Sequence, residues 1–360
     1  MFLNIGLILF AQGVTTSSIN GQITDNNDQP LPGANVLAVH TPTGTQYGVV
    51  TDFDGFYRIP NMRVGGPYKL TITYVGFEDI LLEGIYLRLG DSERISRQMN
   101  ESNNALDEVI ISATKNGIFD SGQTGSNTNI SQRQVKNLPS ATRSLGDFIR
   151  TTPEAQVSEN GSISLGGQNN RYNAIYIDGA VNNDAFGLAG SGTNGGQTGV
   201  SPISIDAIES FQVNLAPFDV RQSGFAGGSI NAITRSGSNN TEGSAYYYLR
   251  NQDLAGKTPT ALSEDNREKL SDFTAELFGV RVGGAIVKDK LFYFVNYERQ
   301  DEQTPQPFVF DRYQGDASLQ DLTNLKQGLI DNYGYNPGIF DNNTEKLISD
   351  KLITRIDWNI

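Results

Sequence analysis

The stretch Leu106-Asp107-Glu108-Val109-Ile110-Ile111-Ser112-Ala113-Thr114 divides the chain and decides how the rest of it is read. Val109, Ile110 and Ile111 are β-branched, two acids precede them, and small polar residues follow. Such a run is a strand by propensity, because branched side chains suit an extended backbone. Three apolar residues in a row cannot all face one side of a lone strand, so the run needs an edge to pair with. It is either a core strand of one of its neighbours or a docking strand for an external edge. What lies on each side decides between the two.

Before it, residues 18 to 100 read as short strands separated by turn chemistry. Ile19-Asn20-Gly21-Gln22-Ile23-Thr24 alternates, then meets Asp25-Asn26-Asn27-Asp28-Gln29-Pro30, a dense turn signal. Ala34 to His40 and Gln46 to Thr51 are two more strands, joined through Thr41-Pro42-Thr43-Gly44. Asp52-Phe53-Asp54-Gly55 turns into Phe56-Tyr57-Arg58-Ile59, and Tyr68 to Tyr74 alternates. Strands at a spacing of about 8–12 residues indicate a small β-sandwich. Asp52 and Asp54 precede Gly55 as in a calcium loop, but the downstream carboxylates of such a loop are missing. They are read as caps of a hairpin turn. His40 lies between Val39 and a Thr-Pro turn, where a surface imidazole is expected.

The chain has 360 residues, enough for two or three domains at ~100–200 residues each. Its 39 glycines, 19% charged residues and few helical patterns describe a β-rich, turn-rich protein. With no cysteine, neither a disulfide framework nor a thiolate metal site is expected, and the case for a cysteine-nucleophile enzyme is weakened. A formal charge of −13, from 27 basic and 40 acidic residues, speaks against a nucleic-acid partner. No apolar run reaches the ~18 residues of a membrane-spanning helix. Met1 to Phe10, followed by Ala11-Gln12-Gly13, has the length of a secretory h-region but no basic residues before it. Residues 1–17 are read as an incomplete or atypical signal peptide, a buried N-terminal strand being the other reading.

After the opening stretch, Lys115 to Ser131 is polar, low in complexity, and reads as a flexible connector. Ser140 is placed as the cap of a helix carrying Leu145, Phe148 and Ile149, which Thr151-Thr152-Pro153 ends. Ser162 to Gly167 follows, and Ala174-Ile175-Tyr176-Ile177-Asp178-Gly179 is a strand ending in a turn. Gly187 to Gly199 is a loop with almost nothing to bury. Pro202 to Ser210 reads as a short helix, Phe211 to Leu215 as a strand, and Pro217 as a break. The glycines of Gly224-Phe225-Ala226-Gly227-Gly228-Ser229 lack the Lys-Ser/Thr pair of a phosphate loop. Close packing of thin backbone explains them better.

From residue 241 onward, longer alternating segments take over. Ser244 to Arg250 is a strand rich in aromatics. Val280, Val282, Gly284 and Ile286 share one face, opposite Arg281, Gly283, Ala285 and Val287. A Lys288-Asp289-Lys290 turn leads to Leu291, Tyr293, Val295 and Tyr297, which alternate with Phe292, Phe294, Asn296 and Glu298. Leu352, Thr354, Ile356 and Trp358 alternate with Lys351, Ile353, Arg355 and Asp357. Spans of ~9–11 residues with apolar and charged faces fit an outer-membrane barrel wall, and equally a soluble antiparallel sheet. A polar loop, 301 to 350, connects the last two spans. Four strands cannot close a barrel, so the chain is expected to be a fragment.

Three resemblances order these units. Gly21-Gln22-Ile23-Thr24-Asp25, Pro30-Leu31-Pro32-Gly33-Ala34-Asn35-Val36 and Thr51-Asp52-Phe53-Asp54-Gly55-Phe56-Tyr57 resemble the carboxypeptidase regulatory-like domain, a transthyretin-like, carbohydrate-binding-like sandwich. Leu138-Pro139, Leu145-Gly146-Asp147-Phe148-Ile149, Asn173 to Gly179, Ile205 to Val213, Ala216 to Arg221 and Gly227 to Gly237 resemble the plug domain of TonB-dependent outer-membrane receptors. The wording Asn170-Arg171-Tyr172-Asn173 and Asn182-Asn183-Asp184-Ala185-Phe186-Gly187 is similar to the Oar-like branch. One departure is Leu165-Gly166-Gly167, where the plug family carries Arg-Gly. The resemblance implies a mainly β chain: signal peptide 1–17, sandwich 18–100, box-like segment 105–114, plug 115–240, and first strands of an antiparallel transmembrane β-barrel 241–360.

By the same resemblance Asp107, Glu108, Val109, Ile110, Ile111 and Ser112 take the place of the TonB box, a periplasmic strand that adds to the edge of a partner. The implied partners are a TonB-type energy-transducing inner-membrane protein, outer-membrane lipid and a surface lipoprotein. The implied activity is active transport of an unidentified substrate across the outer membrane; the alternative is an Oar-like structural, adhesion or signalling protein. Asn182, Asn183 and Asp184 are the candidate substrate contacts at the plug apex. No cofactor or metal is expected. An enzyme is not expected either, since the chain has one histidine and neither His-Glu-x-x-His nor Gly-x-Ser-x-Gly.

Overall fold

The computed structural model describes residues 14–102, 109–112, 126–158, 161–184, 200–215, 225–258, 269–305, 313–339 and 343–359, with single positions between and apart from 139 and 141. Asp107, Glu108, most of the signal segment, the 216–221 stretch and most of the 187–199 loop lie outside the described residues. The chain divides into two compact units, Met1–Ser244 with Arg281–Asn296 and Lys351–Ile360, and Ala245–Val280 with Tyr297–Asp350.

The sandwich is built from β1 (Ser17–Thr24), β2 (Asn35–His40), β3 (Thr45–Val50), β4 (Phe56–Met62), β5 (Gly65–Thr73), β6 (Ile80–Leu87), β7 (Ser92–Arg94) and β8 (Arg97–Gln98). One sheet has the order β4-β1-β7, with β8 also on β1. The other runs β3-β2-β5-β6 and ends in β9 (Val109–Ser112). Period-two alternation turns Ile19, Ile23, Tyr57 and Ile59 of the first sheet toward Val36, Ala38, Leu70, Ile72 and Leu82 of the second, forming one core. Asp52 Oδ1 accepts the amides of Asp54 (3.0 Å) and Phe56 (2.8 Å), the turn-capping geometry read from the sequence. Phe53 stands 92% exposed at that turn.

His40 is buried, against the expectation of a surface imidazole. β2 is an inner strand between β3 and β5, so its inward positions are covered wherever they lie along it. The ring packs on Tyr68 at 4.9 Å, and Nδ1 lies 2.7 Å from Thr43 Oγ1. Burial, with Arg63 nearby, pushes its pKa down to about 4.

Regular structure resumes before the expected helix. Ser126–Ser131, whose composition reads as the end of a flexible connector, is strand β10, followed by helix α1 (Gln132–Asn137) with Ser131 and Gln134 in a capping box. Helix α2 (Leu145–Ile149) is capped by Ser144 and not by Ser140, whose hydroxyl instead donates to Asp147 at 2.6 Å. A hairpin of β11 (Ala155–Val157) and β12 (Ile163–Leu165) leads to β13 (Ala174–Ile177) and β14 (Ala180–Val181). The helix expected over 202–210 is a single 3-10 turn, Ile205–Ala207, because Ile208–Leu215 extends as β15 beside β16 (Gly228–Thr234). The sheet order is β10-β15-β16-β13-β14. One face of it is apolar, with Ile130, Phe211, Val213, Ile230 and Ala232 packed against α2, where Phe148 meets Phe211 edge-on at 6.3 Å. A β-carbon on Gly228 would stand 2.7 Å from Asn214 O, so thin backbone is required there.

β17 (Glu242–Asn251), β18 (Thr274–Val287), β19 (Leu291–Pro305) and β20 (Thr344–Trp358) form one four-stranded sheet in chain order. On β19, Phe292, Phe294, Asn296 and Glu298 are buried, as their alternation foretells. On β20, Leu352, Ile356 and Trp358 are exposed while Ile353 packs on the plug core. The polar loop expected over 301–350 is shorter, since β19 runs to Pro305 and β20 starts at Thr344, and it contains helix α3 (Leu319–Tyr333), capped by Ser318 with Asp321 and ended by Gly334. No helix among the described residues is long and apolar enough to cross a membrane.

Candidate functional site

Val109–Ser112 is paired within its own chain, as the last strand of a sandwich sheet. Val109, Ile110, Ile111 and Ser112 run parallel to β6, opposite Ile80, Leu81, Leu82 and Glu83. The sequence supplied the strand; the edge it sits on could not be read from it. The two acids of the same segment, Asp107 and Glu108, lie outside the described residues.

From Ser112 the chain runs through residues 113–125 to β10, the edge strand of the plug sheet. β10 pairs antiparallel with β15 from Ser126↔Leu215 to Ser131↔Ser210. Its sequence Ser-Asn-Thr-Asn-Ile-Ser places one large apolar residue, Ile130, in the core. Asn127 Oδ1 and Asn129 Oδ1 are buried without a hydrogen bond, and each such atom costs about 1–3 kcal/mol. β10 is therefore a backbone-held strand with little side-chain anchorage. Sequence reasoning missed it for that reason.

The polar face of the plug sheet meets the end of the sandwich. Gln212 Nε2 donates to Leu89 O at 2.8 Å, and Asn129 Nδ2 to Asp91 Oδ2 at 3.3 Å. Val64, Leu89 and Ile233 make a small apolar cluster beside them. Arg63 of the sandwich donates to Ser236 Oγ at 2.7 Å and lies 3.5 Å from Asp357 of β20.

Ion pairs also tie the plug to the barrel-type strands. Asp178, at φ 48° in the turn after β13, accepts from Thr234 N (2.8 Å) and Thr234 Oγ1 (2.6 Å). Arg355 of β20 donates to Thr234 O at 2.9 Å and sits 3.5 Å from Asp178 and 2.9 Å from Asp357. Arg281 of β18 pairs with Asp206 at 2.7 Å. Arg281 and Asp206 are 11% and 16% exposed, so solvent screens their attraction less than that of Arg355 and Asp178, at 28% and 42%. The Asp178-Gly179 turn was visible in the sequence, but its arginine partner, 177 positions away, was not.

Of the apex candidates, Asn182 donates its amide to Ile175 O at 2.7 Å, and Asn183 Oδ1 accepts from Ile175 N at 2.7 Å. Asp184 accepts from Phe186 N (3.0 Å) and Ala189 N (2.6 Å). The structure brings the three together, with Asn183 and Asp184 holding their own loop and Phe186 exposed beside them. Among the described residues no group of three or more His, Asp or Glu could hold a metal ion.

Three domain families match in succession: the carboxypeptidase regulatory-like domain over residues 18–100, the TonB-dependent receptor plug domain over 120–230, and an outer membrane beta barrel domain over 233–357. The chain is 29% identical over 335 residues to the TonB-dependent transporter Oar of Myxococcus xanthus, covering 88% of this chain and 29% of that protein. It is 27% identical over 188 residues to the probable TonB-dependent siderophore receptor PirA of Acinetobacter baumannii, covering 48% and 22%. The chain thus spans less than a third of the length of either relative. Among solved structures, the outer membrane transporter YddB of Escherichia coli is similar with a TM-score of 0.43 at 16% identity, covering 64% of this chain and 30% of that one. The fold is mainly β, and the domain matches place the protein in the outer membrane.

Proposed function

We propose that this chain, which carries the sandwich, plug and barrel segments of a TonB-dependent outer-membrane receptor, serves TonB-dependent active transport of an unidentified substrate. Residues 107–112 are the strand that pairs with the TonB-type partner, through main-chain hydrogen bonds that need little side-chain complementarity. The reading is carried by the covalent path from β9 through residues 113–125 into β10. Thirteen residues can span at most roughly 43–47 Å. Tension on it falls on an edge strand with one apolar anchor, so the ladder to β15 yields before the buried β15–β16 pair. Release of β10 opens the polar side of the plug, while the ion pairs of Arg355 and Arg281 hold the remainder to the wall. The plug apex is assigned to the loop of Asn182, Asn183 and Asp184.

Scrambling residues 107–112 in the full-length protein tests the reading. Uptake of the native substrate falls to background, while surface expression and substrate binding remain. A second reading, an Oar-like adhesion or signalling role, is favoured by helix α3, none of whose residues is buried and which exposes Leu319 and Leu325. Unchanged uptake after the scramble, with surface attachment lost on deletion of residues 313–339, would select that reading instead.

A further inference from the structure

Residues 109–112 are claimed by two edges. The receiving edge of β6 has the length of its occupant: Gly84 adopts φ +77°, and the β5–β6 register shifts between Tyr68 and Leu70, so the regular edge ends at Glu83. Ile80, Leu81 and Leu82 are all buried although successive side chains point to opposite faces. Both faces of this stretch are therefore covered, which is the habit of an interior parallel strand and not of an outer one. Left bare, Ile80–Glu83 would be an apolar edge with unpaired N–H and C=O groups, the kind that recruits foreign strands. The sandwich that provides this edge is itself held to the plug through Leu89, Asp91 and Arg63.

We infer that the β6 edge is a docking surface for residues 109–112 of the same chain, and that an energising partner acquires these residues by strand exchange with β6. The inference rests on the reading of residues 107–112 as the partner-binding strand. A segment parked in this way is available only for the fraction of time that the ladder is open, and the partner's apparent affinity is lowered by that fraction. Parking also keeps a Val-Ile-Ile strand from pairing with other chains before the partner arrives. Exchange leaves the β6 edge open, so each engagement changes the state of the sandwich as well as that of the plug.

Residues 1–360 hold no cysteine, so a cysteine pair placed in the sandwich gives a direct test, any cysteine elsewhere in the full-length protein being replaced by serine. Glu83→Cys combined with Ser112→Cys joins two Cα partners of the ladder; neighbouring strands stand about 4.7–4.9 Å apart, within the Cα separation of about 4.4–6.8 Å that a disulfide spans. Glu93→Cys with Ser112→Cys, on the opposite sheet of the sandwich, is the control. In the full-length protein a mild oxidant cross-links the first pair and not the second. A saturating amount of the periplasmic domain of TonB from the same bacterium slows that cross-link by at least about tenfold. Absence of the cross-link without partner overturns the docking surface. Cross-linking at an unchanged rate with partner bound overturns exchange, and means that the partner adds to the outer edge of β9. If TonB does not bind the wild-type protein at all, the transport reading fails, while cross-linking still reports on the docking surface.

Discussion

β9 and β10 stand on either side of the same tether and are opposites. β9 is apolar and β-branched, and it extends the sandwich sheet in parallel. β10 is polar except for Ile130, and it edges the plug sheet antiparallel. Both are edge strands, each with one neighbour in its sheet, and residues 113–125 join the end of one to the start of the other. The difference teaches that strand propensity and mechanical role are separate matters. The segment that looks most like a strand is the one proposed to leave its edge for a partner. The segment that looks least like one is the part of the plug proposed to yield.

Three changes would break or sharpen that contrast. The largest effect is expected from Ile130→Ala, which removes the one apolar anchor of β10 and costs about 2–5 kcal/mol locally. Amide exchange of residues 126–131 should rise while that of β15 and β16 stays slow; equal loosening of all three would mean that β10 is not a separate weak edge. Next is acidification of the sandwich that holds β9. His40 has its pKa lowered to about 4 from an ordinary 6.5, because the neutral ring is the buried form. Above pH 6.5 its contribution is full, and between 6.5 and about 4 the unfolded chain takes up the proton first. Stability is lost through that window, up to about 3 kcal/mol. Hydrogen exchange of the sandwich strands at pH 7.5 and 4.5 should show this slope, His40→Gln should flatten it, and β10 should not follow. The smallest effect is Asn127→Val, which removes an unpaired buried oxygen and raises strand propensity. It should stabilise β10 by up to about 1 kcal/mol and slow uptake; faster uptake would contradict a yielding β10.

Much of the candidate site was legible because it depends on neighbours in sequence. The Val109-Ile110-Ile111 run, the aspartates of the Asp52 turn and the Asp178-Gly179 turn are local signals, and each appears in the structure as a strand or turn. β10 was hidden because Ser-Asn-Thr-Asn-Ile-Ser has almost no side-chain signature, and Arg355 and Arg281 because their partners are distant in the chain. His40 was misplaced because a flanking Thr-Pro turn says nothing about what covers an inner strand. Helix α3 was missed because none of its residues is buried, so it carries no buried apolar face to read.

The alternating faces belong to the sequence alone. Phe292, Phe294, Asn296 and Glu298 on one side of β19, and Leu352, Ile356 and Trp358 on one side of β20, follow from a side-chain period of two that any extended backbone enforces. The choice of edge belongs to the tertiary structure. Every residue except proline offers the same N–H and C=O, so no residue code tells β9 to lie on β6 or β10 on β15. That choice is settled by which edges the folded sheets leave open and which faces they must cover. For Val109–Ser112 this places a strand, recognisable in sequence as one that needs a partner, on an edge of its own chain.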